Sequence, residues 1–137
     1  MGSRSRAREQ ALQILYFIDL TGTAVDEALR LFHANFESEE EEFEFACTLV
    51  TGITGKLAEL DQKIEGCSEN WRLSRMPRID RNILRMGAFE ILFAPEIPPA
   101  VAMDEAIELA KKYGEEHSPP FVNGILDRIS KNREKGI

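Results

Sequence analysis

The sequence predicts an all-α fold of six or seven helices arranged as two packed helical bundles. Apolar residues recur at three- and four-residue steps through most of the 137 residues, the spacing of one helix face. No run alternates polar and apolar side chains as a half-buried strand would. Helix start and stop signals are written into the chain, most completely between Ile97 and Ile129.

The first helix is predicted from Arg4 to Leu20, with Ala7, Ala11, Ile14 and Ile18 on its buried face and Thr21-Gly22 ending it. A second runs from Val25 to about Asn35 and buries Val25, Leu29 and Phe32. Ser38 with Glu41 fits a capping box, in which Ser38 accepts from an amide and Glu41 reaches back. Behind it Phe43, Ala46, Val50, Ile53, Leu57, Leu60 and Ile64 continue the helical step. That is one long helix, or two joined near Gly52 and Gly55, since each glycine weakens a helix by ~1 kcal/mol relative to alanine.

Gly66 to Pro77 reads as a connector holding Trp71, with Pro77 ahead of the next helix. That helix, Ile79 to Phe93, is apolar on nearly all sides, the mark of a central, buried element. Ala94-Pro95 ends it. Pro98 and Pro99 suit the first turn of the following helix, where a missing N–H costs nothing. Gly114 follows Lys111, Lys112 and Tyr113 as a stop, and Ser118 offers an N-cap oxygen with Pro119 behind it. The N-terminal bundle is expected over about residues 1–67 and the C-terminal bundle over about 68–137.

Composition excludes several classes. No window approaches the ~18 consecutive apolar residues of a membrane span, and no signal-peptide core appears, so a cytoplasmic protein is expected. Cys47 and Cys67 lack CxxC spacing and read as reduced thiols. Neither His33 nor His117 has a glutamate three residues before it, so the paired Glu-x-x-His of a di-metal bundle is missing. No phosphate loop or nucleophile elbow appears, so neither catalysis nor a cofactor is expected. Glu90, on the side of Ile79, Ile83 and Met86, reads as a buried, hydrogen-bonded carboxylate rather than a catalytic one.

The net charge of −7 is unevenly distributed. Arg4, Arg6 and Arg8 open the chain without an acid among them, while Glu37, Glu39, Glu40, Glu41, Glu42 and Glu44 cluster ahead of the third helix. The acids read as a solvated complement to a helix N-terminus; a docking surface for a basic protein is the minority reading. Arg72, Arg75, Arg78, Arg81 and Arg85 form a second basic series that Pro77 interrupts. It reads as scattered surface arginines pairing with local acids, with a second RNA track as the alternative. Tyr16 lies roughly 180° from the first helix's apolar face, and Phe121 roughly 90° off that of the last. A cationic arm for phosphates and aromatic faces for bases are the equipment of a single-stranded RNA binder.

A family resemblance joins these observations. Ala102, Glu105, Ala106, Glu108, Leu109, Ala110, Lys111 and Gly114, then Ser118, Phe121-Val122-Asn123-Gly124 and Leu126-Asp127, resemble the C-terminal half of NusB, a bacterial transcription antitermination family. The likeness extends through residues 80–93 and 7–16 and thins over 20–68. It implies two helical bundles that bind single-stranded boxA RNA of ribosomal RNA leaders together with NusE, a small-subunit ribosomal protein. Within the RNA polymerase antitermination complex the pair would promote read-through; a homodimer stays open. Residue by residue, Arg4, Arg6 and Arg8 match the family's arginine-rich arm, Tyr16 and Phe121 its RNA-contacting aromatics, and Asp80 an acidic position near the NusE-facing surface. Ser5 breaks the usual arginine run, Pro119-Pro120 replace a polar and basic pair, and His117 stands where an acid is common. These departures bear on RNA affinity more than on the fold.

Two rivals belong to other classes. One is a helical protein–protein adaptor with an acidic docking surface and no RNA role. The other is a piece of an RNA-modifying enzyme, since NusB-like domains resemble the N-terminal part of a ribosomal RNA cytosine methyltransferase. A chain ending at Ile137 leaves no room for that enzyme's cofactor-binding domain, so this reading holds only for a fragment.

Overall fold

Glycine with a left-handed backbone is the cheapest way to end a helix, and Gly22, at φ +73°, does this for the first one. In the computed structural model, which describes residues 2–69 and 71–136, α1 spans Ser3–Thr21, and the Gly22 N–H closes it onto the Ile18 carbonyl at 2.8 Å. Helix α2 follows at Val25–Asn35, α3 at Glu40–Gly55 and α4 at Leu57–Gly66. A single 3-10 turn at Leu73–Arg75 precedes α5 (Arg78–Phe93), α6 (Pro99–Tyr113) and α7 (Ser118–Glu134). Among the described residues there are seven α-helices and no strand, as the periodicity predicts.

Contacts divide the chain into two units after Gly55, earlier than the residue 67 expected from sequence. The helical run behind Glu40 is therefore two helices. Lys56 leaves the helical conformation at φ −117°, ψ 17° and its carbonyl receives the first amide of α4, from Leu60, at 2.9 Å. Helix α4 belongs to the second unit.

In the first unit α1 buries Ala7, Ala11, Leu12, Ile14 and Leu15, and α3 buries Ala46, Leu49, Val50 and Ile53. Ile18, expected on the α1 core face, is only half-buried. Helix α2 contributes one fully buried residue, Ala28, and an aromatic edge in which Phe32 meets Phe17 at 5.6 Å. The capping box is displaced. Helix α3 begins at Glu40, and the Glu39 carbonyl accepts its first amide, from Phe43, at 3.1 Å. Glu40, Glu41 and Glu42 fill the first turn, where carboxylates favour the positive helix end.

In the second unit α5 is the central element, with ten buried residues from Asp80 to Ile91. Its backbone comes close to α7, since a Cβ on Gly87 would lie 2.6 Å from Leu126 Cδ1. Four of its buried residues are polar: Asp80, Asn82, Arg85 and Glu90. Glu90 is 1% exposed and has a partner, consistent with a structural carboxylate. Arg85 is not a surface arginine. It is 8% exposed and forks onto Asp61 of α4 at 2.8 and 3.0 Å, the planar two-point geometry that suits arginine.

The turn between α6 and α7 works differently from its sequence reading. Gly114 is extended at φ −93°, so handedness does not require glycine there. Packing does, because a Cβ would lie 2.6 Å from both Cβ and Oγ of Ser118. Ser118 is already helical, with His117 in the cap position. Its hydroxyl accepts the Glu115 N–H at 2.9 Å and donates to Asp80 Oδ1 at 2.8 Å, tying the start of α7 to α5.

Candidate nucleic-acid interface

The three N-terminal arginines are part of α1 and are organised by α3. Glu42 is 4% exposed, and a buried carboxylate needs a cation or donors. Arg6 meets this need, its Nε and Nη2 both 2.7 Å from Glu42 Oε1. The hydrogen bond to Glu42, and then that residue's charge, raise the Arg6 pKa. Its side chain remains 45% exposed. One helical turn further along α3, the Phe45 ring carries two more guanidiniums, Arg4 at 4.8 Å and Arg8 at 5.5 Å from its centroid. Both fall within the ~6 Å reach of a cation–π contact.

This arrangement separates the three arginines. Arg4 and Arg6 are exposed. Arg8, read from the sequence as a phosphate contact, is 3% exposed. A residue this buried is out of a phosphate's reach, whereas Arg4, on the same ring, is exposed. Glu42 likewise departs from the expectation of a solvated acidic cluster; Glu37, Glu39, Glu40, Glu41 and Glu44 do lie exposed. Tyr16 is half-buried on α1, two turns beyond Arg8.

The second unit holds the other sequence-named aromatic. Phe121 lies in the first turn of α7, half-buried, and meets Trp71 edge to face at 6.2 Å with ring planes 72° apart. A hollow of about 270 Å³ opens between them, bounded also by Ser68, Pro120, Gly124 and Arg128. Arg128 is held at its rim by a 2.7 Å hydrogen bond to the Cys67 carbonyl and lies 3.6 Å from Glu69. Trp71 was legible in the sequence only as a connector residue, and no helical period marks such a position. Phe45 carried a signal, because it falls off the Ala46, Val50 and Ile53 face.

Asp80 departs from its expected place on a partner-facing surface. It is 1% exposed and bonded to Ser118, and its Oδ2 is buried without a hydrogen-bond partner. Burial pushes its pKa up, opposed by the Ser118 hydrogen bond and the His117 charge. Such a group fixes the α6–α7 turn rather than touching another protein. Both histidines are exposed, His33 stacked on Phe43 at 4.5 Å. Among the described residues no three metal-ligating side chains come together, and no helix is long and apolar enough to cross a membrane.

Seven helices, a row of cations braced by a neighbouring helix and an open aromatic corner define an all-helical binding protein. Comparison with known proteins makes this specific. The model of the NusB family matches residues 5–131. The transcription antitermination protein NusB of Trichlorobacter lovleyi is 50% identical over 129 residues, covering 94% of this chain and 91% of the relative. That of Sorangium cellulosum is 46% identical over 132 residues, covering 96% and 94%. Among solved structures, T. maritima NusB superposes with TM-score 0.85 at 35% identity, covering 97% and 96%. A crystal structure of antitermination factors NusB and NusE in complex with dsRNA matches with TM-score 0.85 at 30% identity, covering 94% and 96%. The chain belongs to the NusB family.

Proposed function

We propose that this chain is an RNA-binding transcription antitermination factor that takes boxA-type RNA of ribosomal RNA leaders together with NusE and promotes read-through by RNA polymerase. It acts in the cytoplasm as a scaffold and performs no catalytic step. The observation that carries the reading is the pinned Arg6, its side chain still 45% exposed, with Arg4 beside it on Phe45. Cations fixed in one geometry lose less freedom when they meet a phosphate, so the cost of ordering them is met in folding. Relatives that carry the antitermination name over nearly their whole length, and a NusB–NusE–RNA complex of the same fold, support the same role.

Arg4 and Arg6 hold the phosphates; Tyr16 and Phe121 offer ring faces to unpaired bases, each contact worth ~1–3 kcal/mol. Asp80 takes no part in partner contact, because it is 1% exposed and faces Ser118 within its own unit. An amide-shift titration with single-stranded boxA RNA, a scrambled strand and a duplex tests the reading. The amides of Arg4, Arg6, Tyr16 and Phe121 shift together with boxA RNA and less with the scrambled strand. Since stacking needs unpaired bases, the duplex moves the arginines but not the rings. Rings that stay still in every titration remove them from the interface.

A further inference from the structure

The corner between Trp71 and Phe121 has a shape that neither ring has alone. Two rings 72° apart at 6.2 Å meet edge to face rather than stacking, and both line the hollow. Trp71 is 48% exposed, a large apolar surface left in water beside a hollow of about 270 Å³. That volume is below the roughly 300–1,000 Å³ of sites for drug-sized ligands, so it suits one planar ring system and not a whole cofactor. The wall at Gly124 is bare: a Cβ there would meet nothing within 4 Å. At the rim, Arg128 and Glu69 place donors beside acceptors 3.6 Å apart, with Arg128 anchored on the Cys67 carbonyl. An aromatic corner with both hydrogen-bonding types at its edge matches a nucleobase, whose face stacks while its edge offers donors and acceptors.

We propose that this hollow takes one unpaired base of the bound RNA and that Trp71 is a further stacking residue, a role that rests on the RNA-binding reading above. The base lies on the indole face with the Phe121 ring against its edge, and Arg128 and Glu69 meet its polar rim. The connector holding Trp71 is therefore part of the RNA surface, although it lies outside every α-helix.

Trp71 is the only tryptophan in the chain, so its emission reports on this corner alone. The full-length chain is titrated at low salt with an unlabelled single-stranded RNA and with an abasic strand of the same length, binding being followed separately by anisotropy of end-labelled copies. RNA is expected to quench the emission, and the abasic strand to bind without quenching. Trp71→Ala weakens RNA binding at least about fivefold, the lower bound for losing one stacked base, and Trp71→Phe restores most of it. The wild-type titration does not depend on how the variants fold. Bound RNA with unchanged emission, or equal quenching by the abasic strand, overturns the base site while leaving RNA binding intact. No binding of either strand by anisotropy overturns both readings.

Discussion

Two arginine-carboxylate pairs in this protein look alike on paper and do opposite things. Arg6–Glu42 joins α1 to α3 and Arg85–Asp61 joins α5 to α4, each with a contact at 2.7–2.8 Å. In the first the acid is buried and the arginine is 45% exposed; in the second the arginine side chain is only 10% exposed. The first pair presents a cation, whereas the second consumes one in the packing of its unit. The same division runs through the two basic stretches that contain them. Arg4, Arg6 and Arg8 lie on one helix and are braced by Glu42 and Phe45. Arg72, Arg75 and Arg78 are dispersed over a connector, a 3-10 turn and a helix start, while Arg81 is half-buried and Arg85 buried. Counting arginines does not find a nucleic-acid track; how each guanidinium is held and how much of it faces water does.

Breaking the consumed pair should cost the most. Arg85→Ala strands the Asp61 carboxylate and the Asn82 amide oxygen that Arg85 satisfies at 3.1 Å. Removing one member of a buried pair costs about 3–5 kcal/mol, and the partial exposure of Asp61 puts this case near about 3 kcal/mol. Urea unfolding measures it, and a loss below about 1 kcal/mol would place Arg85 with the surface pairs. A smaller effect follows from Phe45→Leu, which keeps apolar bulk but removes the ring under Arg4 and Arg8. With exposed cation–π contacts worth about 0.5–1 kcal/mol, RNA binding weakens about two- to fivefold. The salt dependence stays as it was, because no charge is lost. Phe45→Tyr recovers the affinity; if it does not, the ring is acting only as filler.

The finest test concerns Asp80. Burial raises its carboxyl pKa from 3.8, so the folded state binds more protons there than the unfolded chain. The contribution of Asp80 to stability is therefore full below pH 3.8 and is lost as pH rises through the raised folded value. The difference in unfolding free energy between wild type and Asp80→Asn should fall across that window; a difference that rises with pH would reverse the assigned sign.

Most helix ends were legible because their signals are local. Gly22, Pro77 and Pro99 act through their own backbones, and α1, α5 and α6 begin or end within a residue of where they predict. Helix α3 begins at Glu40, two residues past Ser38, and Ser118 is not a cap because its hydroxyl goes to Asp80, 38 residues away in sequence. Burial of Arg8, Glu42, Asp80 and Arg85 depends on partners contributed by other helices, which no single helical wheel contains. Of the candidate site, Tyr16 and Phe121 were found because they fall off their core faces. Trp71 was passed over because a connector has no face to fall off.

On the reading proposed above, the exposed, braced arginines of α1 make the phosphate track. Its decisive check is the salt dependence of RNA affinity for wild type, Arg4→Ala/Arg6→Ala and Arg75→Ala/Arg78→Ala. With a log–log slope of about 0.7 per phosphate neutralised on a single strand, the α1 pair should flatten the slope by about 1.4, and the second pair should leave it unchanged. An unchanged slope for Arg4→Ala/Arg6→Ala, or an equal flattening by both pairs, would contradict it.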